Sequence, residues 1–284
     1  MARSALLVTR NRFLYASRRI AQEAKARGVE LEIVNPSGVG VSLSEAGVVS
    51  QIKTDATKAL LRFAAGFRAQ TLLAGEILEA SGIEVVNSTQ ATQLSSSKIR
   101  SALALSKASI PTLESVVVQT SAELDFALEA LGEFPIVAKR EFGSQGEGVF
   151  LLESRRAASS VMASLLAQGP LVLQHFVAEA EGQDLRVFVV EGQVLAGVLR
   201  QGVAGDFRAN FHQGASLTPY LDNEASELAL KAIQTLDLRY GGVDLIKTSA
   251  GWRVLEVNSS PGFRGLEEAT DISVAGALVE AFFL

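Results

Sequence analysis

The sequence predicts a mixed α/β (α+β) fold, and three observations carry the prediction. Strand-length apolar runs alternate with amphipathic stretches of helical period over the first third of the chain, as in a parallel βαβ arrangement. The second half instead pairs apolar runs across tight turns, the signature of antiparallel strands. Hydrophobic residues make up 48% and charged residues 20% of 284, which is enough for real cores and suggests more than one domain.

Residues 4–9 (SALLVT) read as a buried strand. Residues 13–27 read as a helix with Gly28 just past its end. A second strand alternates over 29–35 and stops at Pro36. A short apolar run at 60–63 precedes an amphipathic helix at 68–81, closed by Gly82, and a strand at 83–87 (IEVVN). This is a small parallel α/β unit, and no G-x-G-x-x-G follows its first strand, so a dinucleotide site there is unsupported. The polar, serine-rich stretch 89–97 (TQATQLSSS) is the best boundary.

Beyond it, a helix at 98–108 is broken by Ser109-Ile110-Pro111-Thr112. A strand follows at 114–119, then a helix from Ser121 as N-cap to Leu131. Strands at 134–139 and 149–152 flank a glycine loop. A helix at 157–166 leads to the strand 171–177 (LVLQHFV). Residues 185–190 and 193–199 form a hairpin around Glu191-Gly192, and 202–214 read as an irregular polar loop. A helix at 223–237 precedes strands at 242–246 and 252–258, whose connection is hairpin length. An apolar helix at 272–283 ends the chain.

Composition narrows the function. Net charge is −5 and no Lys/Arg run stands out, so no nucleic-acid footprint is visible. The chain has no cysteine, which removes disulfides, thiolate zinc sites and cysteine nucleophiles and fits a cytoplasmic setting. No signal peptide and no membrane span are evident. Two histidines leave little room for histidine-based metal chemistry.

Residues two apart in a strand share a face. Val254, Glu256 and Asn258 therefore point one way, and Leu255 and Val257 the other. A mid-strand carboxylate between Val and Leu is costly unless it is paired or binds a cation. Asp244 stands in an equally apolar frame on the preceding strand, and the short loop brings it toward the Glu256 and Asn258 face. Two carboxylates and an amide oxygen make a hard-oxygen cluster, suited to magnesium once phosphates and waters complete its octahedron. The same residues also read as the solvated face of an edge hairpin, and by themselves they leave both open.

Gly143, Gly146 and Gly148 lie between two strands. Such a loop can turn backbone N–H groups toward phosphates, or be a plain hairpin turn. Lys139 ends the strand before it and could reach the same phosphates as a point charge. No Walker sequence is present, and the lysine precedes the glycines, the reverse of the protein-kinase order. Lys98 alone reads as a solvated helix lysine.

In order, the chain carries Lys98, Lys139 with its glycine loop, LVLQHFV, Asp184-Leu-Arg186, Gly205-Asp-Phe-Arg208-Ala-Asn210, Gly242-Val-Asp244 and Glu256-Val-Asn258-Ser-Ser-Pro-Gly262. This order resembles the ATP-grasp superfamily and is most similar to the RimK-type glutamate ligases. The likeness runs from about Lys98 to the C-terminus and is thinner over the first 90 residues. It implies an ATP-grasp fold: a pre-ATP-grasp α/β domain at 1–95, a central subdomain with a glycine-rich lid at 96–180, and a C-terminal subdomain with the metal site at 181–284. It implies that Lys98 and Lys139 contact ATP phosphates beneath a lid containing Gly143, Ser144, Gly146 and Gly148. Gln174, His175, Phe176 and Val177 match the adenine-holding hinge strand, with His175 where a glutamate is expected. Asp184 matches a nucleotide contact. Arg208 and Asn210 match the segment that reaches the reacting phosphate and the metals. Asp244, Glu256 and Asn258 match ligands of magnesium, for which manganese is a substitute. Lys139 and Arg208 would act catalytically by offsetting charge on the transferred group.

The implied reaction is ATP-dependent ligation of a carboxylate to an amine through an acyl phosphate. Its partners are an amino-acid donor, glutamate favoured, and a protein or peptide carboxylate. Gln201-Gly202-Val203 replace basic residues that commonly follow Arg200 in the family, which bears on the acceptor more than on the chemistry. A ligase making a small peptide or cofactor tail would share every ATP residue. A non-catalytic nucleotide-binding regulator would share the fold. The apolar terminal helix, with Val274, Leu278, Phe282 and Phe283, packs on its own domain or leaves room for a homo-oligomer.

Overall fold

The computed structural model describes residues 3–45, 47–63, 67–132, 134–143, 148–180, 182–202 and 216–284. Apolar β-branched and leucine-rich runs near the N-terminus form β1 (Arg3–Thr9), β2 (Val29–Val34), β5 (Lys58–Arg62) and β6 (Glu84–Val86). They assemble as a parallel sheet in the order β2-β1-β5-β6. Between them lie α1 (Tyr15–Ala26) and α2 (Arg68–Ala80). Gly28 and Gly82, just past the two helices, take positive φ as expected. A small hairpin, β3 (Val41–Ser44) and β4 (Gly47–Ser50), was not expected. Every residue of β3 is exposed, so its sequence carries no buried-face alternation to read.

The polar stretch 89–97 is helical rather than a linker. It forms α3 (Thr89–Ser96), capped by the Ser88 side chain on Ala91 N–H, and Ser97 then caps α4 (Lys98–Lys107) on Arg100 N–H. Serines at helix starts look like linker composition when the caps are not counted.

The next layer contains β7 (Ser115–Val118), α5 (Leu124–Leu131), β8 (Ile136–Arg140), β9 (Val149–Leu152), α6 (Arg155–Leu166) and β10 (Leu171–His175). Its antiparallel sheet runs β7-β10-β8-β9. Leu124, Ala127, Met162 and Leu165 from α5 and α6 bury one face. The opposite face carries Lys139 opposite Val172.

The last part contains β11 (Gln183–Val190), β12 (Gln193–Gln201), β13 (Ser216–Pro219), α7 (Asn223–Thr235), β14 (Tyr240–Thr248), β15 (Gly251–Asn258), α8 (Arg264–Thr270) and α9 (Val274–Phe283). Five antiparallel strands order as β13-β12-β11-β14-β15. Glu191 and Gly192 both take positive φ, the backbone that a two-residue hairpin requires. One sheet face packs on α7 through Leu185, Val187, Val243 and Leu245. The other face changes character along its strands. Phe188, Val190, Ala196 and Tyr240 are apolar and buried beneath α9, whereas Asp184, Arg186, Arg200 and Asp244 are charged.

The terminal helix does more than cover its own sheet. Val274, Leu278, Phe282 and Phe283 share one core with Ala5, Leu7, Ile20 and Ala24 of the first unit. Its apolar face is therefore consumed within the chain. No helix of the described residues is long and apolar enough to cross a membrane.

Asn87 fastens the same junction. Its amide donates to Tyr240 O (2.9 Å) and Ser259 O (3.0 Å), and its Oδ1 accepts from Arg239 N (2.8 Å) and Tyr240 N (3.1 Å). All four of its hydrogen-bonding positions are filled. Asn87→Ala strands four backbone groups in a dry junction, and it is expected to cost about 3 kcal/mol in urea unfolding. A loss below about 0.5 kcal/mol would mean that water replaces the amide there.

Candidate active site

A cavity of about 800 Å³ lies where the three sheets meet, a volume suited to a small-molecule ligand. The central sheet contributes Val172 and Gln174, the last sheet Arg186, Arg200, Glu256 and Asn258, and the first unit Tyr15 and Arg62. Lys98, the first residue of α4, reaches in from the side. Its Nζ donates to Gly143 O at 3.2 Å and stands 3.8 Å from Glu256 Oε2. In a chain of net charge −5 this cavity is rich in cations, so it suits an anionic ligand.

The hairpin register is the one the short loop required. Asp244 lies directly opposite Glu256, with a bulge between Asp244 and Leu245. Asp244 does not line the cavity but stands one layer behind it, in a network of four charges. Arg186 grips it bidentately, Nε–Oδ1 at 2.7 Å and Nη2–Oδ2 at 2.6 Å. Arg200 approaches Asp244 Oδ2 at 2.9 Å and holds Asp184 bidentately at 2.5 and 2.7 Å. Burial disfavours both carboxylates in charged form, yet their acidities move apart. Burial, joined by the Asp244 charge, raises Asp184 although Arg200 and, without a hydrogen bond, Arg186 oppose it; against the same burial, Asp244 is held down to about 2 by Arg186 and Arg200, both of which hydrogen-bond it.

Lys139 is buried on β8, and that burial pulls its ammonium down to about 8, with Glu256 opposing and Lys98 adding to the effect. Gln174 is held in one orientation. The Ser115 hydroxyl donates to Leu113 O (2.9 Å), so its oxygen must accept from Gln174 Nε2 (2.8 Å). That leaves Gln174 Oε1 as a buried acceptor without a partner among the described residues.

The donor set fits a magnesium ion only together with phosphates. Glu256 is 36% exposed, and Lys98, beyond hydrogen-bond distance, is its one ion-pair partner among the described residues. Asn258 Oδ1 already accepts from Ser260 N at 3.2 Å. Asp244 Oδ1 takes one hydrogen bond and Oδ2 faces two donors, so one lone pair remains on Oδ1. Among the described residues no group of three His, Cys, Asp or Glu side chains could hold a metal unaided.

A RimK-like ATP-grasp domain model matches residues 95–282. The chain belongs to the RimK-like ATP-grasp family. A probable alpha-L-glutamate ligase of Shewanella pealeana is 34% identical over 284 residues, covering 97% of this chain and 62% of that protein. One of Maridesulfovibrio salexigens is 31% identical over 280 residues, covering 96% and 93%. The chain thus spans less than two thirds of the first relative and nearly all of the second. Among solved structures, a RimK domain protein ATP-grasp from Sphaerobacter thermophilus superposes with TM-score 0.78 at 24% identity over 100% of both chains. The ATP-grasp ligase PsnB, complexed with minimal precursor, Mg and ADP, gives 0.75 at 21% identity, covering 98% of this chain and 95% of its own. These likenesses establish the ATP-grasp fold.

Of the residues expected from sequence, Lys98, Gly143, Gln174, Glu256 and Asn258 line the cavity. Lys139, Asp184 and Asp244 stand just behind its wall. His175 ends β10 exposed, and Val177 packs with Leu113, Ile246 and Leu255. Gly148 takes positive φ beside Arg140. Ser144, Gly146, Arg208 and Asn210 lie outside the described residues. Sequence reasoning assigned no role to Arg186 or Arg200 and overlooked Arg62. Arg186 carried a signal, being two residues from Asp184 on one strand face.

Removing Arg200 strands Asp184 and leaves Asp244 with Arg186 alone. Arg200→Met is expected to cost roughly 3–5 kcal/mol in denaturant unfolding, clearly more than Asp184→Asn. Equal costs would show that Arg200 does not bridge the two acids.

Proposed function

We propose that the chain is an ATP-dependent carboxylate–amine ligase that joins glutamate, or a similar amino acid, to a protein or peptide carboxylate. The observation that carries the reading is the convergence on one cavity of Lys98, Glu256 and Asn258, with Lys139 and Asp244 directly behind them. The naming of relatives as probable alpha-L-glutamate ligases supports glutamate, and PsnB, complexed with a minimal precursor, supports a peptide acceptor. The three-part division at residues 95 and 180 belongs to the same proposal.

In this reading an oxygen of the acceptor carboxylate attacks the γ-phosphorus of ATP, and ADP leaves. The nitrogen of a free amine then attacks the acyl carbon, and inorganic phosphate leaves as the amide forms. Lys98 and Lys139 hold phosphate oxygens as point charges. Gln174 Oε1 accepts from the exocyclic amine of adenine, and Phe176 and Val177 border the base. Asp244, Glu256 and Asn258 hold magnesium, which supplies charge neutralisation to the phosphates. Arg208 and Asn210 act on the transferred group, and the loop at Gly143, Ser144, Gly146 and Gly148 excludes water from the acyl phosphate. Asp184 acts through Arg200, which it orients.

Mass spectrometry of products after incubation with ATP, magnesium, mixed amino acids and peptides with free C-termini tests the reading. The expected result is an amide product with matching ADP. Glu256→Gln should fold normally and form none, and full turnover in that variant would remove Glu256 from the metal site. Lys139 adds a pH test. Because its ammonium titrates near 8 in the folded chain, kcat/KM for ATP should fall as pH rises through that value. Lys139→Arg, charged throughout, should flatten the profile, and an unchanged profile would take Lys139 off the phosphates.

A further inference from the structure

The end of the cavity lined by the first unit is itself built for an anion. In the parallel sheet, β1 has β2 on one side and β5 on the other, so the crevice at their carboxyl ends is the topological switch point where such sheets receive ligands. Thr9 and Arg62 are paired in register at that edge. The Thr9 hydroxyl lies 3.5 Å from Ser17 Oγ, in the first turn of α1.

That first turn is open. Its N-cap is Leu14, no side chain caps it, and it holds no acidic residue. Leu14, Tyr15 and Ala16 all line the cavity. The N–H groups of such a turn attract anions.

Arg62 is a second, independent observation. It is only 6% exposed and lines the same cavity. Its Nη2 donates to Pro261 O at 2.8 Å, whereas its buried Nη1 has no partner among the described residues. An unpartnered buried guanidinium nitrogen is costly until an acceptor arrives. The Phe263 ring lies 5.6 Å from the Arg62 guanidinium and 6.1 Å from the Tyr15 ring, which ties the two sides together. The neighbouring Glu267 carboxylate is already engaged by Tyr15 OH, Arg19 Nε and Ala275 N. Pro261 follows the metal-site Asn258 by three residues, roughly 10 Å of chain at most. A small amino acid spans that gap.

We propose that Arg62 and the open first turn of α1 bind the unreacting α-carboxylate of the incoming amino acid, leaving its amine facing the Glu256 and Asn258 end. This rests on the ligase reading above. The test is calorimetric titration of L-glutamate into the full chain with magnesium and ADP present. L-glutamate should bind, and 4-aminobutyrate, which lacks the α-carboxylate, should bind about tenfold or more weakly. Arg62→Gln should weaken glutamate to a similar extent and leave ADP affinity unchanged.

Because Arg62 also braces Pro261, a second variant separates binding from folding. Leu14→Asp places a carboxylate at the N-cap, which favours the helix while filling the anion site. It should melt no lower than the parent and lose glutamate. Glutamate binding that survives in Leu14→Asp, or ADP affinity lost together with glutamate in Arg62→Gln, would overturn the assignment. Absence of glutamate binding to the parent chain would do the same. Glutamate binding without amide formation would instead sink the ligase reading and leave this site standing.

Discussion

Arg200 lies between two buried carboxylates, and much of the site depends on that bridge. Asp184 and Asp244 project from neighbouring strands of a sheet whose opposite face packs an apolar core against α7. Either acid alone would be costly there. With Arg186 completing the set, two positive and two negative groups form a neutral, mutually satisfied block. Such a block contributes little net stability compared with an apolar one, but it fixes geometry. It holds Asp244 ionised, with a single lone pair on Oδ1 free. If Asp244 takes part in the proposed metal site, a cation there would compete with guanidinium donors. In that proposal a magnesium ion carrying ATP phosphates would bring its own anionic partners for the displaced arginine charge. Nucleotide binding and metal binding would then be linked through the protein's own electrostatics.

The cavity borrows rigidity from places far from its chemistry. Asn87 and the core shared by α1 and α9 clamp the parallel sheet to the last sheet. Glu267 ties Tyr15 and Arg19 of α1 to the start of α9. Phe63 N donates to Ser260 Oγ, and Arg62 to Pro261 O, so the loop after β15 is gripped by the end of β5. The loop that follows Asn258 is thus part of the junction between units, and a shift there would move the amide with it.

Legibility in the sequence followed the range of the interaction. The short loop was readable because it is local, and Asp244 did land opposite Glu256, but the period-two alternation of β15 did not hold: a bulge leaves Leu255 unpaired, so Val254 joins Val257 in the core under α7 instead of sharing the Glu256 face. Element order was readable for the same reason. The α3 helix was hidden because Thr89, Thr92 and Ser95 are polar yet buried, a composition that reads as linker. The pairing of Arg200 with Asp184 depends on the register of β11 on β12, and Arg62 owes its setting to Pro261, 199 residues away. Nothing within a local window announces either. The glycine loop left a plain hairpin turn open when read alone, and it and the Arg208 segment gained meaning only from the order of all the motifs; their residues fall largely outside the described ones.

In the proposed ligase the two ends of the cavity would handle anions by different means, and the difference would follow from what each must do. Phosphate oxygens change partners and charge during transfer, so compact ammonium groups on flexible stems, Lys98 and Lys139, suit them. The lowered pKa of Lys139 marks a charge disfavoured by burial until an anion offsets it. An unreacting carboxylate needs to be held still in one orientation. A buried guanidinium braced by Pro261 and Phe263, beside fixed backbone N–H groups, is already ordered before the ligand arrives. Preorganisation of that kind reduces the entropy lost on binding. In the proposed site it would also set the direction from which an amine approaches the acyl carbon, and positioning of this sort supplies much of the rate when two substrates must meet in one orientation.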